Sequence, residues 1–117
     1  MPHFVIEYSH DIEDQIKISD LMDATYKVGA ASGVMKTEDI KVRALAYEHY
    51  QLAGPKDNFV HTTIYLLEGR SDEQKEGLSI ALRSIQADLM PDVISISIDI
   101  RDMNGISYKK HLLPSPP

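Results

Sequence analysis

A strand-helix-strand pattern occurs twice along the chain, and this repeat restricts the folds that the sequence can adopt. The first copy spans about residues 2–47 and the second about residues 59–103. Within each copy the two strands are predicted to be parallel, because a crossover helix returns the chain to the end of the sheet where it began. We therefore predict an α+β fold, in which a tandem β-α-β repeat forms a four-stranded sheet with two helices on one face.

Side-chain periodicity defines the strands and helices of both copies. Apolar residues at 3.6-residue intervals predict a first helix over about 20–32, with Ser19 as its N-cap. Ser71 and Gln74 have the spacing of a capping box, which predicts that a second helix begins there and continues to Pro91. Alternating or β-branched residues predict four strands, at 3–8, 40–47, 59–67 and 93–100.

The C-terminal segment, residues 104–117, follows the repeat within the same single domain of residues 1–117. The run Met103-Asn104-Gly105-Ile106 has the composition of a tight turn, so we expect a short strand to return over 107–113. The last four residues, Pro114-Ser115-Pro116-Pro117, cannot continue a sheet, and we expect them to trail off.

Composition and charge disfavour several classes of function. With 18 acidic and 12 basic residues the formal net charge is -6, which repels nucleic-acid phosphates, and the densest basic site is only the pair Lys109-Lys110. The lack of cysteine excludes disulfides, thiolate chemistry and cysteine-ligated zinc. No apolar run is long enough to span a bilayer and the start has no signal sequence, so we expect a cytoplasmic protein without membrane association. A chain this short buries limited surface alone, which favours an oligomer.

Pro2 is the first candidate catalytic residue. Methionine before proline is normally removed, and the trimmed chain begins with a secondary amine. An α-amino group titrates at about pH 8 in water, and burial near cations lowers its pKa toward neutrality, where it is an effective general base. The alternative is that Met1-Pro2 is only a common start with no chemical role.

Arg70 is the second candidate, as an anion-binding residue. It lies where the third strand meets the second helix, in the run Leu67-Glu68-Gly69-Arg70-Ser71. A guanidinium beside a helix N-terminus can hold a carboxylate with two hydrogen bonds. The alternative is that Arg70 is solvated or paired with a carboxylate such as that of Glu68.

Lys41 and Arg43 form the third candidate site. They are two residues apart on a predicted strand, so they project from one face of the sheet, opposite the apolar Val42 and Ala44. Because the helices are expected to cover the apolar face, these two cations must meet solvent, a ligand or another subunit. The alternative is a solvated sheet face that happens to carry two charges.

Other chemical motifs are not indicated. The sequence contains no dinucleotide fingerprint, phosphate-binding loop or nucleophile elbow. The five histidines include no pair at i and i+4 and no neighbouring carboxylate at the spacing of metal ligands, so no metal site is predicted. They are His3, His10, His49, His61 and His111.

Three segments resemble the 5-carboxymethyl-2-hydroxymuconate isomerase family, within the tautomerase superfamily. These segments are Pro2-His3-Phe4-Val5-Ile6-Glu7, Phe59-Val60-His61 and Gly69-Arg70-Ser71. The similarity extends from Pro2 to about Met103. In addition, the run Leu67-Glu68-Gly69-Arg70-Ser71-Asp72-Glu73-Gln74-Lys75-Glu76 is similar to the strand-helix junction of 4-oxalocrotonate tautomerase, a smaller relative.

The resemblance implies a tautomerase (MIF-like) fold, a homotrimer and a role in the catabolism of aromatic compounds, with no cofactor and no metal. It implies that the Pro2 amine moves a proton within a small dicarboxylate or tricarboxylate that has a 2-hydroxymuconate framework. Arg70 matches one substrate-binding arginine of the family, and Lys41 aligns with another. Lysine supplies a point charge where the family pattern has a planar fork, so Arg43, on the same face, is the alternative second anchor.

Alignment of the two copies assigns the catalytic amine to the first alone. Val60 stands in place of Pro2 in the second copy, and Ser97 stands in place of Lys41. Conversely, Ile12 of the first copy is equivalent to Arg70. Two other functions stay open: a tautomerase of another 2-oxo acid, and a non-catalytic trimeric protein that retains the fold.

Overall fold

The structure, a computed structural model, describes residues 1–55 and 57–114. Neither helix in this part of the chain is long and apolar enough to cross a membrane. Two short 3-10 helices, His10–Asp14 and Thr37–Asp39, precede the longer elements α1 and β2. The strands and α-helices are β1 (His3–Ser9), α1 (Ile18–Ala31), β2 (Lys41–Tyr47), β3 (Phe59–Leu67), α2 (Asp72–Leu89) and β4 (Ser95–Met103).

The strands form one mixed sheet in the order β2-β1-β3-β4. β1 pairs with β2 and β3 pairs with β4 in parallel, while the central strands β1 and β3 are antiparallel. His3 lies opposite Lys41, and His61 lies opposite Ser97, so both copies have the register expected from their alignment. The predicted four-stranded α+β fold is confirmed.

Both helices pack on the face of the sheet that carries the even-numbered residues of β1. One buried cluster joins Ile6 of β1 to Leu21 of α1. A second joins Phe4 to Leu78 and Leu82 of α2. Full burial of each such side chain contributes about 2 kcal/mol, so these contacts fix the helices against the sheet.

The opposite face of the sheet is not covered by a helix of the described residues. It carries His3 and Glu7 of β1 beside Lys41 and Arg43 of β2. The apolar Leu45 also lies on this face and is 55% exposed. We call this surface, formed by the odd-numbered residues of the strands, the open face.

The ring of Phe4 on strand β1 reaches helix α1 at Gly29. A Cβ atom at this position would lie 2.9 Å from Cζ of Phe4 and 3.2 Å from Sδ of Met35. Such distances are too short for carbon and sulfur atoms in contact, so only glycine fits without a shift of the neighbouring side chains.

The two helices begin differently. In α2 the capping box is confirmed: the Gln74 backbone N–H donates to Ser71 Oγ at 3.1 Å, and the Ser71 N–H donates to Gln74 Oε1 at 2.9 Å. In α1 the prediction that Ser19 is the N-cap is wrong, because Lys17 precedes the first helical residue and makes no side-chain cap. The earlier start lets Ile18 pack against the core, and leaves Ser19 exposed in the first turn.

The conformation of the C-terminal segment contradicts the prediction of a strand over 107–113. Strand β4 runs from Ser95 to Met103, and no strand follows within the described residues 104–114. Instead the Tyr108 N–H donates to the Asn104 carbonyl at 3.0 Å, and the Ile106 N–H donates to Asn104 Oδ1 at 2.8 Å. This turn directs the chain toward the start of β1 rather than back along β4. Of the predicted tail, Pro114 is exposed and belongs to no strand, and residues 115–117 lie outside the described residues.

Candidate active site

Pro2 lies immediately before β1, and its side chain is buried. Its carbonyl accepts a hydrogen bond of 3.1 Å from the backbone N–H of Lys41, which fixes Pro2 against the start of β2. While Met1 is attached, the Pro2 nitrogen is a tertiary amide and has no basicity. Removal of Met1 converts the same buried position into the amino terminus.

Charged groups surround the start of the chain. Burial lowers the pKa of the Met1 amino group, and the carboxylate of Asp39 acts in the opposite sense. The cations of Arg70, Lys110 and Lys41 lower this pKa further, in that order of effect. An amine at this end of the sheet therefore faces three cations and one anion, which favours its neutral, basic form.

Arg70 is held by backbone carbonyls rather than by a carboxylate. Its Nε and Nη2 donate to the carbonyl of Val34 at 3.0 and 2.9 Å, and its Nη1 donates to the carbonyl of Leu67 at 3.0 Å. Glu68, the partner considered from sequence, instead accepts from the Gly105 N–H at 3.1 Å. The guanidinium has five N–H donors, so two are left to hold a ligand in a fixed orientation.

Lys41 and Arg43 both project from the open face, but they have different surroundings. Lys41 Nζ donates to the carbonyl of Asp39 at 3.5 Å and acts on the amino group at the chain start. Arg43 Nη1 lies 3.2 Å from Nδ1 of His3. Lys41 and Arg70 thus both act on the amino group at the chain start, whereas Arg43 contacts His3.

His3 and Tyr108 form a connection that the sequence did not reveal. His3 Nε2 lies 3.0 Å from the hydroxyl of Tyr108, and the two rings meet edge to face with centroids 5.9 Å apart. Because Arg43 can only donate, Nδ1 of His3 must accept, so we assign the proton to Nε2, which donates to Tyr108. Burial and then the Arg43 charge lower the pKa of His3, so its ring is neutral at pH 7.

Lys110 also reaches this site from the C-terminal segment. Its side chain is only 17% exposed, and Nζ lies 3.6 Å from Oδ1 of Asp39, which is itself 22% exposed. The same Nζ contacts Sδ of Met1. The neighbouring Lys109 is exposed, so the two halves of the basic pair noted in the sequence have different environments.

A groove between α1 and α2 is lined by Val34, whose carbonyl binds Arg70, but not by Pro2, Lys41, Arg70 or Lys110. It has a volume of about 510 Å³ and is lined mainly by apolar and small residues, including Val28, Ala31 and Leu78. Its charged lining residue is Glu73, which would repel a carboxylate. Among residues 1–55 and 57–114, no three histidine, aspartate or glutamate side chains are grouped as metal ligands.

Comparison with known proteins supports a family assignment. Solved structures of similar fold include a 5-carboxymethyl-2-hydroxymuconate isomerase from Deinococcus radiodurans R1, with 24% identity, a TM-score of 0.81, and coverage of 94% of this chain and 88% of that chain. A 5-carboxymethyl-2-hydroxymuconate delta-isomerase has 20% identity and a TM-score of 0.80, with coverage of 95% and 88%. A fused 4-OT described as a symmetric trimer has 16% identity and a TM-score of 0.74, with coverage of 87% and 85%.

Sequence comparison is more specific than the shared fold. No functionally curated protein sequence matches the chain significantly. The family profile of 5-carboxymethyl-2-hydroxymuconate isomerase, however, matches residues 2–112, which is nearly the whole chain. The chain therefore belongs to the 5-carboxymethyl-2-hydroxymuconate isomerase family and is an isomerase of the tautomerase superfamily.

Proposed function

We propose that this isomerase shifts a proton in 2-hydroxymuconate-type acids, with 5-carboxymethyl-2-hydroxymuconate as its substrate. In this proposal Met1 is removed, and the amine of Pro2 is the acid and base. The observation that carries the proposal is the cluster of Arg70, Lys110 and Lys41 around the start of the chain. Burial, together with these three charges, lowers the pKa of the Met1 amino group despite the opposing carboxylate of Asp39.

The chemistry requires only proton transfer. The neutral Pro2 amine takes the proton from the 2-hydroxyl of the dienol, and electron density moves along the conjugated chain as the 2-oxo group forms. The protonated amine then returns a proton at carbon three or five, which gives the enone and restores the free base. No cofactor is needed, because conjugation with the 2-oxo acid supplies the acidity.

Cations near the amine bind the substrate and stabilise the charge that develops during the transfer. The two remaining N–H donors of Arg70 suit a carboxylate, because they are held in a fixed plane by the bonds to Val34 and Leu67. Lys41 or Arg43 provides the second anchor. Such preorganised donors stabilise negative charge on the dienolate oxygen without reorganisation during the reaction.

We also propose that the protein is a homotrimer. Strands β2 and β4 are the two edges of the sheet, and the open face carries the exposed apolar residues Leu45 and Tyr65. An uncovered sheet face with free edges is suited to association with other copies. One protein of similar fold is described as a symmetric trimer, which is consistent with this arrangement.

The decisive variant is Pro2→Ala, in which the trimmed chain begins with a primary amine of different geometry. We expect kcat for 5-carboxymethyl-2-hydroxymuconate to fall by at least about 100-fold, the scale of a lost general base. Activity is followed by the loss of dienol absorbance, and mass spectrometry establishes that Met1 is absent from both proteins. A folded Pro2→Ala protein with unchanged kcat would contradict the proposal that the secondary amine of Pro2 is the acid and base, whereas a trimmed wild-type protein with no activity would favour the non-catalytic function.

A sample that retains Met1 provides an independent control. Its Pro2 nitrogen is an amide, so we expect little activity even though every side chain is present.

The substrate is tested by comparing 2-hydroxymuconates with phenylenolpyruvate on the trimmed protein. Preference for phenylenolpyruvate would indicate a tautomerase of a different 2-oxo acid. This alternative function is favoured by Lys41, which stands where the family pattern has arginine.

A further inference from the structure

The C-terminal segment carries a lysine into the site from more than a hundred positions away in the chain. Lys110 lies 109 positions from Met1, whose Sδ it contacts. Two contacts hold this segment in place: Gly105 donates to Glu68 Oε1 at 3.1 Å, and the Tyr108 hydroxyl lies 3.0 Å from His3 Nε2. Lys110 therefore follows a turn that is held in place by specific bonds of Gly105 and Tyr108.

The ion pair of Lys110 is loose enough to exchange. Its Nζ lies 3.6 Å from Oδ1 of Asp39, whereas a strong hydrogen bond between charged groups measures about 2.7–2.9 Å. Both side chains are mostly shielded from water, at 17% and 22% exposure. A carboxylate that enters this region can therefore compete with Asp39 for a lysine that is already partly desolvated.

We infer that Lys110 is a third substrate-binding cation, which binds one carboxylate of a tricarboxylate substrate in exchange for Asp39. The inference rests on the proposed function, because it takes the Pro2 amine as the reacting group. Removal of Met1 also removes the side chain that Lys110 contacts, so Nζ then faces the space beside the new amino terminus.

The number of cations suggests what Lys110 contributes to specificity. A 2-hydroxymuconate has two carboxylates, which Arg70 and Lys41 can bind. 5-Carboxymethyl-2-hydroxymuconate has a third, and Lys110 is the remaining cation that acts on the amino group at the chain start. Lys110 therefore favours the tricarboxylate over the dicarboxylate.

Lys110→Gln tests this role, with Lys109→Gln as the matched control on the exposed neighbour. In trimmed protein, Lys110→Gln should raise KM for 5-carboxymethyl-2-hydroxymuconate about tenfold or more, the effect of one lost bond to a charged group. KM for 2-hydroxymuconate should change much less, and Lys109→Gln should match the wild type with both acids. Lys110→Arg, which restores the charge, should recover most of the selectivity.

A titration separates substrate binding from a merely structural role. Lys110 lowers the pKa of the Met1 amino group. By the same effect of charge, Lys110→Gln should raise the pKa of the Pro2 amine in trimmed protein, measured by NMR, while circular dichroism stays unchanged. Unchanged selectivity between the two acids in an otherwise active Lys110→Gln enzyme would overturn the inference and leave the proposed function standing. A trimmed wild-type protein that isomerises neither acid would overturn both.

Discussion

At the scale of single residues, Arg70 has an observed structural role and a proposed role in substrate binding. Three of its N–H groups bond to the carbonyls of Val34 and Leu67, so they hold the loop before β2 against the end of β3. The remaining two N–H groups are oriented by these bonds. Gly69, with φ of +118°, makes the turn that brings Arg70 to this position just before the N-cap Ser71.

Arg70→Lys should distinguish the effect of the planar guanidinium from the effect of the positive charge. Lysine keeps the positive charge but cannot reproduce the planar set of bonds to two carbonyls. We expect the free energy of unfolding to fall by about 2 kcal/mol and KM for the dicarboxylate to rise at least about tenfold. Urea denaturation and steady-state kinetics measure these two changes.

Arg83→Lys is the control for this substitution, since Arg83 is an exposed arginine on α2. It should leave both quantities at their wild-type values. Equal stability and equal KM for Arg70→Lys and the wild type would contradict a special function for the guanidinium.

At the scale of secondary-structure elements, α1 contacts the side chain of Phe4 near the beginning of β1. Gly29 lies against Phe4, two residues after Pro2, and Phe4 is completely buried. Displacement of the Phe4 ring would therefore be transmitted to the beginning of the strand.

Gly29→Ala should destabilise the protein although alanine is the better helix former. The added methyl group would lie 2.9 Å from Phe4 Cζ, and overpacking should lower the free energy of unfolding by about 1–2 kcal/mol after the gain in helix propensity. In Gly77→Ala on α2 the added Cβ meets no atom within 4 Å. This variant should instead raise the free energy of unfolding by about 1 kcal/mol. Urea denaturation compares the two variants, and equal stabilisation would show that the Phe4 ring is not closely packed against Gly29.

The regular elements were predictable because their signals are local. The β-branched residues of β3 predicted Phe59–Leu67 as observed, and the capping box at Ser71 located the start of α2. The Ser19 cap failed because burial of Ile18 outweighed a local cap preference. The strand over 107–113 failed because bonds to distant residues, such as that between Tyr108 and His3, determine the path of this segment.

At the scale of the whole molecule, the site depends on contacts that no local pattern encodes. Arg70 was identifiable as a candidate because a strand-helix junction is a recognisable place for an anion-binding residue. Tyr108 and Lys110 lie 105 and 109 positions from the residues they contact, His3 and Met1. Sequence periodicity predicts faces of elements, but it does not show which distant segment will cover them.

Assembly is the property of the whole molecule that is most directly measurable. We expect light scattering to give a mass of about three times 13.2 kDa, because the uncovered face and two free strand edges favour association. Leu45→Glu on the open face should weaken the trimer, whereas Leu89→Glu on α2 should not. A wild-type protein that remains monomeric at micromolar concentration would contradict the proposed assembly.

The shared register of the two copies has a consequence for how such a protein could evolve. If a shorter ancestor was duplicated and fused, the junction turned the beginning of its second copy into an internal peptide bond. No substitution at Val60 could recreate an amine there, since even a proline nitrogen is an amide inside a chain. Such a fusion removes one catalytic centre irreversibly. The residues at the equivalent position, His61 and Ser97, are joined by a hydrogen bond of 2.6 Å and could then diverge under other selective pressures.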